Sequence, residues 1–351
     1  MKKTLKSLLV VLSMALTACG SSAASNTAAT PEPTSASEPS AAPQEAAPAE
    51  GKTYKVAVVK QLDHASLDEI ANAITARFDE LAKENNVTIS YGTVYSGQND
   101  QTTLQQIASQ AIADQVDAIV PIATLAAVTM TAAASDTKTP VIYAAISDPE
   151  AAELTGIEYV SGTSDALNTE TIMNMMLATN PDLKTVGLLY SKSEANSEKP
   201  IAEAKKFLEE KGIAFVEANG NTNDEVIQAA SSLVGQKVDA VFTPTDNVIM
   251  AAELAIAPMF AEAKIPHYAG ADSFVRNGAF TTCGVNYTEL GKKTAEIAFE
   301  AMSSGMGKLE SYYLMDGGIV TVNTETAAAL GLDPKLFSQF GEVVEVVTTE
   351  D

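Results

Sequence analysis

Asp239-Ala240-Val241-Phe242-Thr243-Pro244-Thr245-Asp246-Asn247 reads as a short apolar strand that stops at a proline-stiffened polar turn and opens into a helix. The helix runs over 247–263. The same unit recurs on both sides. A buried strand at 117–122 leads into a helical 124–135. A strand at 54–60 precedes 67–83, where Ile70, Ile74, Phe78 and Leu81 fall on one helical face. Residues 87–94 alternate Val87, Ile89 and Tyr91 as a strand, 101–114 is helical, and 140–146 is a further strand. A second series follows, with strands at 185–190, 213–217, 239–243 and 266–270 and helices at 198–211, 223–235 and 247–263. Short apolar strands alternating with helices predict parallel sheets covered on both faces. The fold class expected is α/β: two doubly wound parallel-sheet lobes with a ligand cleft between them.

The chain has 351 residues, 46% of them hydrophobic, enough for two lobes with cores of their own. Its net charge of −23 argues against nucleic acid as a partner, which needs a basic face. Two cysteines, Cys19 and Cys283, and two histidines, His64 and His267, give no metal-ligand spacing, so no metal site and no cofactor are expected. Cys283 lies in an apolar run and reads as a buried, inert thiol. Neither a G-x-S-x-G elbow, an H-E-x-x-H pair nor a P-loop occurs, and no G-x-G-x-x-G follows the first strand. No catalytic residue is assigned.

The N-terminus reads as a leader. Lys2, Lys3 and Lys6 precede an apolar core, 8–16, too short to span a bilayer comfortably. Leu16-Thr17-Ala18-Cys19-Gly20 resembles a bacterial lipobox, in which the cysteine is lipidated and becomes the new N-terminus. Two or more acyl chains on Cys19 would anchor the protein stably. Residues 1–18 are thus expected to be a lipoprotein signal peptide. Residues 19–52 are expected to be a lipidated N-terminus and a flexible Ser/Ala/Pro tether, too poor in large apolar side chains to fold. The folded part is expected to be a monomer held outside the cell membrane.

Ligands of open α/β sheets bind beyond the carboxyl ends of the strands. There the chain places His64, then Thr124 and Leu125, then Ser147 and Asp148, and near a lobe crossing Thr163 and Ser164. The second series adds Asn196, Asp246, Asn247 and Asp272. These are the candidate ligand-binding residues. Hydroxyls, amides and carboxylates backed by helix N-termini suit a zwitterion: the N-termini favour a carboxylate and a carboxylate favours an ammonium. Asp246 is the expected acceptor of the ammonium, with Asp272 second. Thr124, Asp165, Asp246 and Asp272 also precede helices, where capping alone explains such residues.

The ordered set Gln61-Leu62-Asp63-His64, Val116 to Thr124, Ile146-Ser147-Asp148-Pro149, Gly162-Thr163-Ser164-Asp165, Tyr190 to Ser197, Thr243-Pro244-Thr245-Asp246-Asn247, Asn277-Gly278-Ala279 and Gly284 to Gly291 resembles one family. It is the tryptophan/tyrosine-type substrate-binding proteins of ABC importers, with a type I periplasmic-binding fold. Leu125 stands where that family usually has Pro, and Ala71-Asn72 where a Gly is common. The resemblance implies capture of a small solute, most readily an amino acid, with an aromatic one among the options, by lobe closure, and delivery to ABC permease subunits in the membrane. It further implies three crossings between lobes, near Gly162, Val285 and Gly317. Lobe 1 is then 53–162 plus 286–316, and lobe 2 is 163–285 plus 317–351. A branched amino acid or nucleoside as ligand, or a ligand-sensing receptor lipoprotein, remain alternatives.

Overall fold

The computed structural model describes residues 51–349. The expected signal peptide, Cys19 and the tether up to Glu50 lie outside the described residues. The first lobe opens with β1 (Thr53–Lys60), α1 (Ala65–Asn85), β2 (Thr88–Ser90), β3 (Tyr95–Ser96), α2 (Gln101–Ala113), β4 (Ala118–Ile122), α3 (Thr124–Ala133), β5 (Val141–Tyr143) and β6 (Val160–Ser164). The second holds α4 (Thr169–Thr179), β7 (Thr185–Tyr190), α5 (Glu198–Lys211), β8 (Ala214–Asn219), α6 (Asn223–Gln236), β9 (Ala240–Thr243), α7 (Asn247–Glu262), β10 (His267–Ala269), α8 (Asp272–Arg276) and β11 (Thr281–Gly284). The chain then returns to the first lobe with α9 (Tyr287–Ser304) and β12 (Tyr313–Leu314). It ends in the second with β13 (Ile319–Asn323), α10 (Thr324–Leu330) and β14 (Glu342–Val346).

The first sheet runs β12-β6-β5-β4-β1-β2, with β3 also paired to β1, and all its pairings are parallel. The second runs β14-β13-β11-β10-β9-β7-β8. There β11 and β13 pair antiparallel, so this sheet is mixed rather than purely parallel. The two sheets repeat one topology: in each, the chain steps outward once and then builds from the other side of its first strand. That reversal, between β1 and β4 and between β7 and β9, is a topological switch point, where ligand crevices form.

Side-chain alternation explains the two-sided cover. Along β1, Val56 and Val58 join Val120 and Ile142 beneath α1 and α9, while Ala57 and Val59 join Ile119 and Tyr143 beneath α2 and α3. In the second sheet Leu189 and Val241 face α6 and α7, while Val186 and Leu188 face α4 and α5. Burying each large apolar side chain contributes about 1.5–3 kcal/mol, so each lobe is rigid independently of the polar cleft. The helix expected at 67–83 runs Ala65–Asn85 and ends on Asn86 in the left-handed conformation. The strand expected at 87–94 is shorter, because the chain turns at Gly92 (φ 57°) between β2 and β3.

Three connections join the lobes, after Ser164, after Gly284 and after Leu314. The sequence placed the first near Gly162. Instead Thr163 and Ser164 stay in the first sheet, paired with Tyr313 and Leu314 of β12. At Gly270, just past β10, a Cβ would come within 2.5 Å of the Thr245 nitrogen. Only glycine therefore lets this loop pack against the turn after β9.

Candidate functional site

The carboxyl ends of the two sheets converge on one cavity. The first lobe supplies His64, Ser66 and Leu67 from the start of α1, Ala123 and Thr124 from the start of α3, Ala145 and Ser147 after β5, and Tyr287 from the start of α9. The second supplies Asn196, then Thr245, Asp246, Asn247 and Met250 around the start of α7, and Ala271 and Phe274 around α8. Asp165 enters from the first crossing. The cavity holds about 350 Å³ of non-atom space, part of it continuous with solvent. Small-molecule sites span about 300–1,000 Å³, so this one lies at the small end of that range.

Direct bonds between the lobes close it. Gln61 Nε2 donates to Glu194 Oε1 at 2.8 Å. His64 Nε2 meets Asn247 Oδ1 at 3.0 Å. The Thr245 and Ser147 hydroxyls bond at 2.9 Å, as do Lys199 Nζ and Asp148 Oδ2, and the Ser66 and Ser273 hydroxyls touch.

Asp165 is a buried acid of the site. Ser147 Oγ–H donates to Oδ1 and Tyr287 O–H to Oδ2, both at 3.0 Å. Ser147 has one proton to give, so the Thr245 hydroxyl is the donor in their mutual bond, and Asn196 Nδ2 in turn donates to the Thr245 carbonyl at 2.7 Å. Among the described residues no Lys, Arg or His pairs with Asp165, and burial raises its carboxyl above the ordinary range.

Asp246 is placed differently from expectation. Its Oδ1 accepts from the Val248 and Ile249 amides at 3.0 Å, and its Oδ2 from the Ser191 amide and Ser197 hydroxyl at 2.7 Å. Four donors saturate the carboxylate, so Asp246 caps α7 and straps the loop after β7 rather than receiving the ammonium. Burial still raises its carboxyl. Glu194, behind it, accepts from Gln61 and from Asn247 Nδ2 at 2.6 Å. Burial, then the nearby Asp246 charge, push Glu194 up to about 7. Burial lowers His64 to about 4, so its ring is neutral at physiological pH.

The helix starts at the cavity differ in capping, and at α3 the Leu125 amide is taken by Gln61 from across the sheet. The starts of α1 and α3 have no side-chain cap, whereas Asp246 caps α7 and Asn286 caps α9. Ala123, before α3, sits at φ 74°, ψ 163°, a region normally left to glycine, and Ala145 at φ 57°. Such conformations cost about 1–3 kcal/mol each and collect at functional sites. The lining carries the acids Asp165 and Asp246 and no Lys or Arg. Among the described residues no group of His, Cys, Asp and Glu is arranged to hold a metal ion.

Of the sequence candidates, His64, Thr124, Ser147, Asn196, Asp246 and Asn247 line the cavity. Five do not. Leu125 offers its amide to Gln61 Oε1 at 2.9 Å while its side chain packs into the first lobe. Asp148 is drawn to Lys199. Thr163 turns to Thr294 on α9 at 2.8 Å. Ser164 accepts the Ala166 amide. Asp272 pairs with Arg276 and faces a separate small cavity. Asp165, Tyr287, Thr245 and the Gln61–Glu194 bridge were missed. Asp165 ends a polar stretch after a strand, which was a usable signal; nothing local marks Glu194.

The chain matches the family model described as ABC transporter substrate binding protein over residues 55–331. A tyrosine-binding protein of Clostridioides difficile (strain R20291) is 33% identical over 289 residues, covering 80% of this chain and 82% of that one. An ABC domain from Streptococcus pneumonia solved with L-Trp superposes with a TM-score of 0.75 at 26% identity, covering 84% of this chain and 100% of that one. A substrate-binding protein with adhesive properties from Clostridium difficile, solved ligand-free and open, gives 0.61 at 30% identity with the same coverage.

Proposed function

This chain belongs to the ABC transporter substrate-binding protein family, and from that premise we propose that it captures an aromatic L-amino acid outside the cell membrane and passes it to a permease without chemical change. The observation that carries this reading is Asp165: a buried carboxylate with no cationic partner among the described residues, in one cavity with the N-termini of α1 and α3. An ionised carboxylate in a dry site needs a cation, and the ligand's α-ammonium supplies it. The ligand's carboxylate is met by the helix starts at the cavity, where anions are favoured. Leu67, Met250 and Phe274 give the side chain an apolar wall. The tyrosine-binding and L-Trp-bound relatives support an aromatic side chain.

Side-chain bonds from both lobes span the cavity, so ligand enters and leaves as the lobes part and close about the three crossings. A site completed within one chain is consistent with a monomer. Cys19, through its acyl chains, holds the protein to the membrane; Cys19→Ser that still sediments with membranes would count against the anchor. For the ligand, a thermal-shift screen of protein stripped by unfolding and refolding is expected to respond to L-tyrosine or L-tryptophan. Ligand at about 100 times its Kd adds about 2.7 kcal/mol. Silence across all amino acids, with a response to a sugar or nucleoside, would overturn the proposal.

A further inference from the structure

One buried polar atom of the lining has no partner. Six buried side-chain nitrogens or oxygens among the described residues lack a hydrogen bond, and His64 Nδ1 is the one on a residue that lines the cavity. The bonds around it fix its chemistry. Gln61 is held at both ends: the Leu125 amide donates to its Oε1, and its Nε2 donates to Asn99 Oδ1 and to Glu194 Oε1. With Glu194 ionised, Asn247 turns its Nδ2 toward the other Glu194 oxygen. That leaves Asn247 Oδ1 facing His64, so His64 Nε2 carries the proton and donates. In a neutral ring Nδ1 is then a bare lone pair, enclosed and able only to accept.

We infer that His64 Nδ1 accepts a hydrogen bond from the ligand's side chain, so that the site selects amino acids bearing a side-chain O–H or N–H, a phenol or an indole, over a plain phenyl ring. This rests on the ammonium position proposed above. Asp165 lies on the first crossing, at the hinge end of the cavity. His64 also lines the outer groove between α1 and α7. An amino acid anchored at Asp165 therefore extends its side chain past Leu67, Met250 and Phe274 toward His64. A carboxylate is the better partner for the ammonium, which leaves the imidazole nitrogen for a weaker, neutral donor. The ring is neutral at working pH, as its burial requires. A ligand without a donor would leave Nδ1 unpaired, and an unpaired buried acceptor is costly.

The test is calorimetric titration of stripped protein with L-tyrosine, L-tryptophan and L-phenylalanine. The wild type is expected to bind at least one of the first two about tenfold to a hundredfold more tightly than phenylalanine. His64→Gln keeps a donor near the Nε2 position for Asn247 and deletes Nδ1; that preference should collapse toward unity. Glu194→Gln leaves His64 in place but reverses the chain of donors. The new amide nitrogen faces Asn247, which turns its Oδ1 inward and its Nδ2 toward His64, and the proton moves to Nδ1. It too should erase the preference, which a purely structural loss would not do selectively. An unchanged preference in both variants, an equal loss for all three ligands in His64→Gln, or a wild type indifferent to the side-chain donor would each overturn the inference. Failure of all three ligands to bind the wild type would instead strike the aromatic reading itself.

Discussion

Gln61 and Glu194, 133 positions apart in sequence, bond at 2.8 Å across the lobe boundary. Gln61 also holds the Leu125 amide at the start of α3. One side chain thus ties the second lobe to a helix end that faces the ligand. Gln61→Ala should leave Glu194 short of a donor and open the ligand-free protein. Hydrogen bonds to charged groups contribute about 1.5–3 kcal/mol, so affinity should fall roughly tenfold to a hundredfold. Small-angle scattering should show a larger radius of gyration before ligand is added. An unchanged radius and affinity would remove the bridge from the closing mechanism.

Closure should also depend on pH. Burial and the Asp246 charge raise Glu194 to about 7 in the closed form; exposed by opening, it returns toward about 4.3. Closing therefore takes up a proton between these values. The closed form is most favoured below the lower one, and the advantage is lost as pH rises through about 7. Asp165 and Asp246 are shifted the same way and add to the slope. The ligand-free radius of gyration should grow between pH 5.5 and 8.5, with a shallower slope in Glu194→Gln. A flat wild-type profile would contradict the linkage.

Asp246→Asn should act on stability. Its carbonyl can still cap α7, but its amide faces the Ser191 amide, leaving a buried donor unpaired at about 1–3 kcal/mol. Calorimetry should show Tm lowered by several degrees and affinity within about threefold. A hundredfold affinity loss at unchanged Tm would return Asp246 to the ligand.

Asp165→Asn should act on binding. Removing one member of a buried charge pair costs about 2–5 kcal/mol, or roughly 30-fold or more in Kd. The ligand-free Tm should hold, because a neutral amide is cheaper to bury than a charge. N-acetyl-tyrosine, which lacks the ammonium, should fail to bind the wild type. Tight binding of that analogue would show the ammonium to be dispensable.

The sheets were legible because a buried parallel strand has a local signature: 118–122 and 240–243 are apolar runs that end in polar turns. The strand-end rule found Thr124, Ser147, Asn196 and Asn247 for the same reason. It could not tell which strand-end residue faces the cleft. Thr163 and Asp165 are two residues apart, yet one is claimed by Thr294 on a helix 131 positions away and the other enters the cavity. Asp246 misled because a cap and a ligand contact call for the same residue at the same place. Glu194 was invisible, since its burial depends on Gln61 and Asn247, which only the closed lobes bring together.

The return of α9 to the first lobe has a consequence for how the protein is made. Leu290, Ile297 and Ala298 complete the core that β1 and α1 begin, and Thr288 bonds to Glu69, 219 positions earlier. The first lobe therefore cannot finish its interior until residues near 300 have been synthesised, and the second waits for β13 and β14. Domains ordinarily fold from the N-terminal end as they emerge. This architecture defers that step until nearly the whole chain has been made.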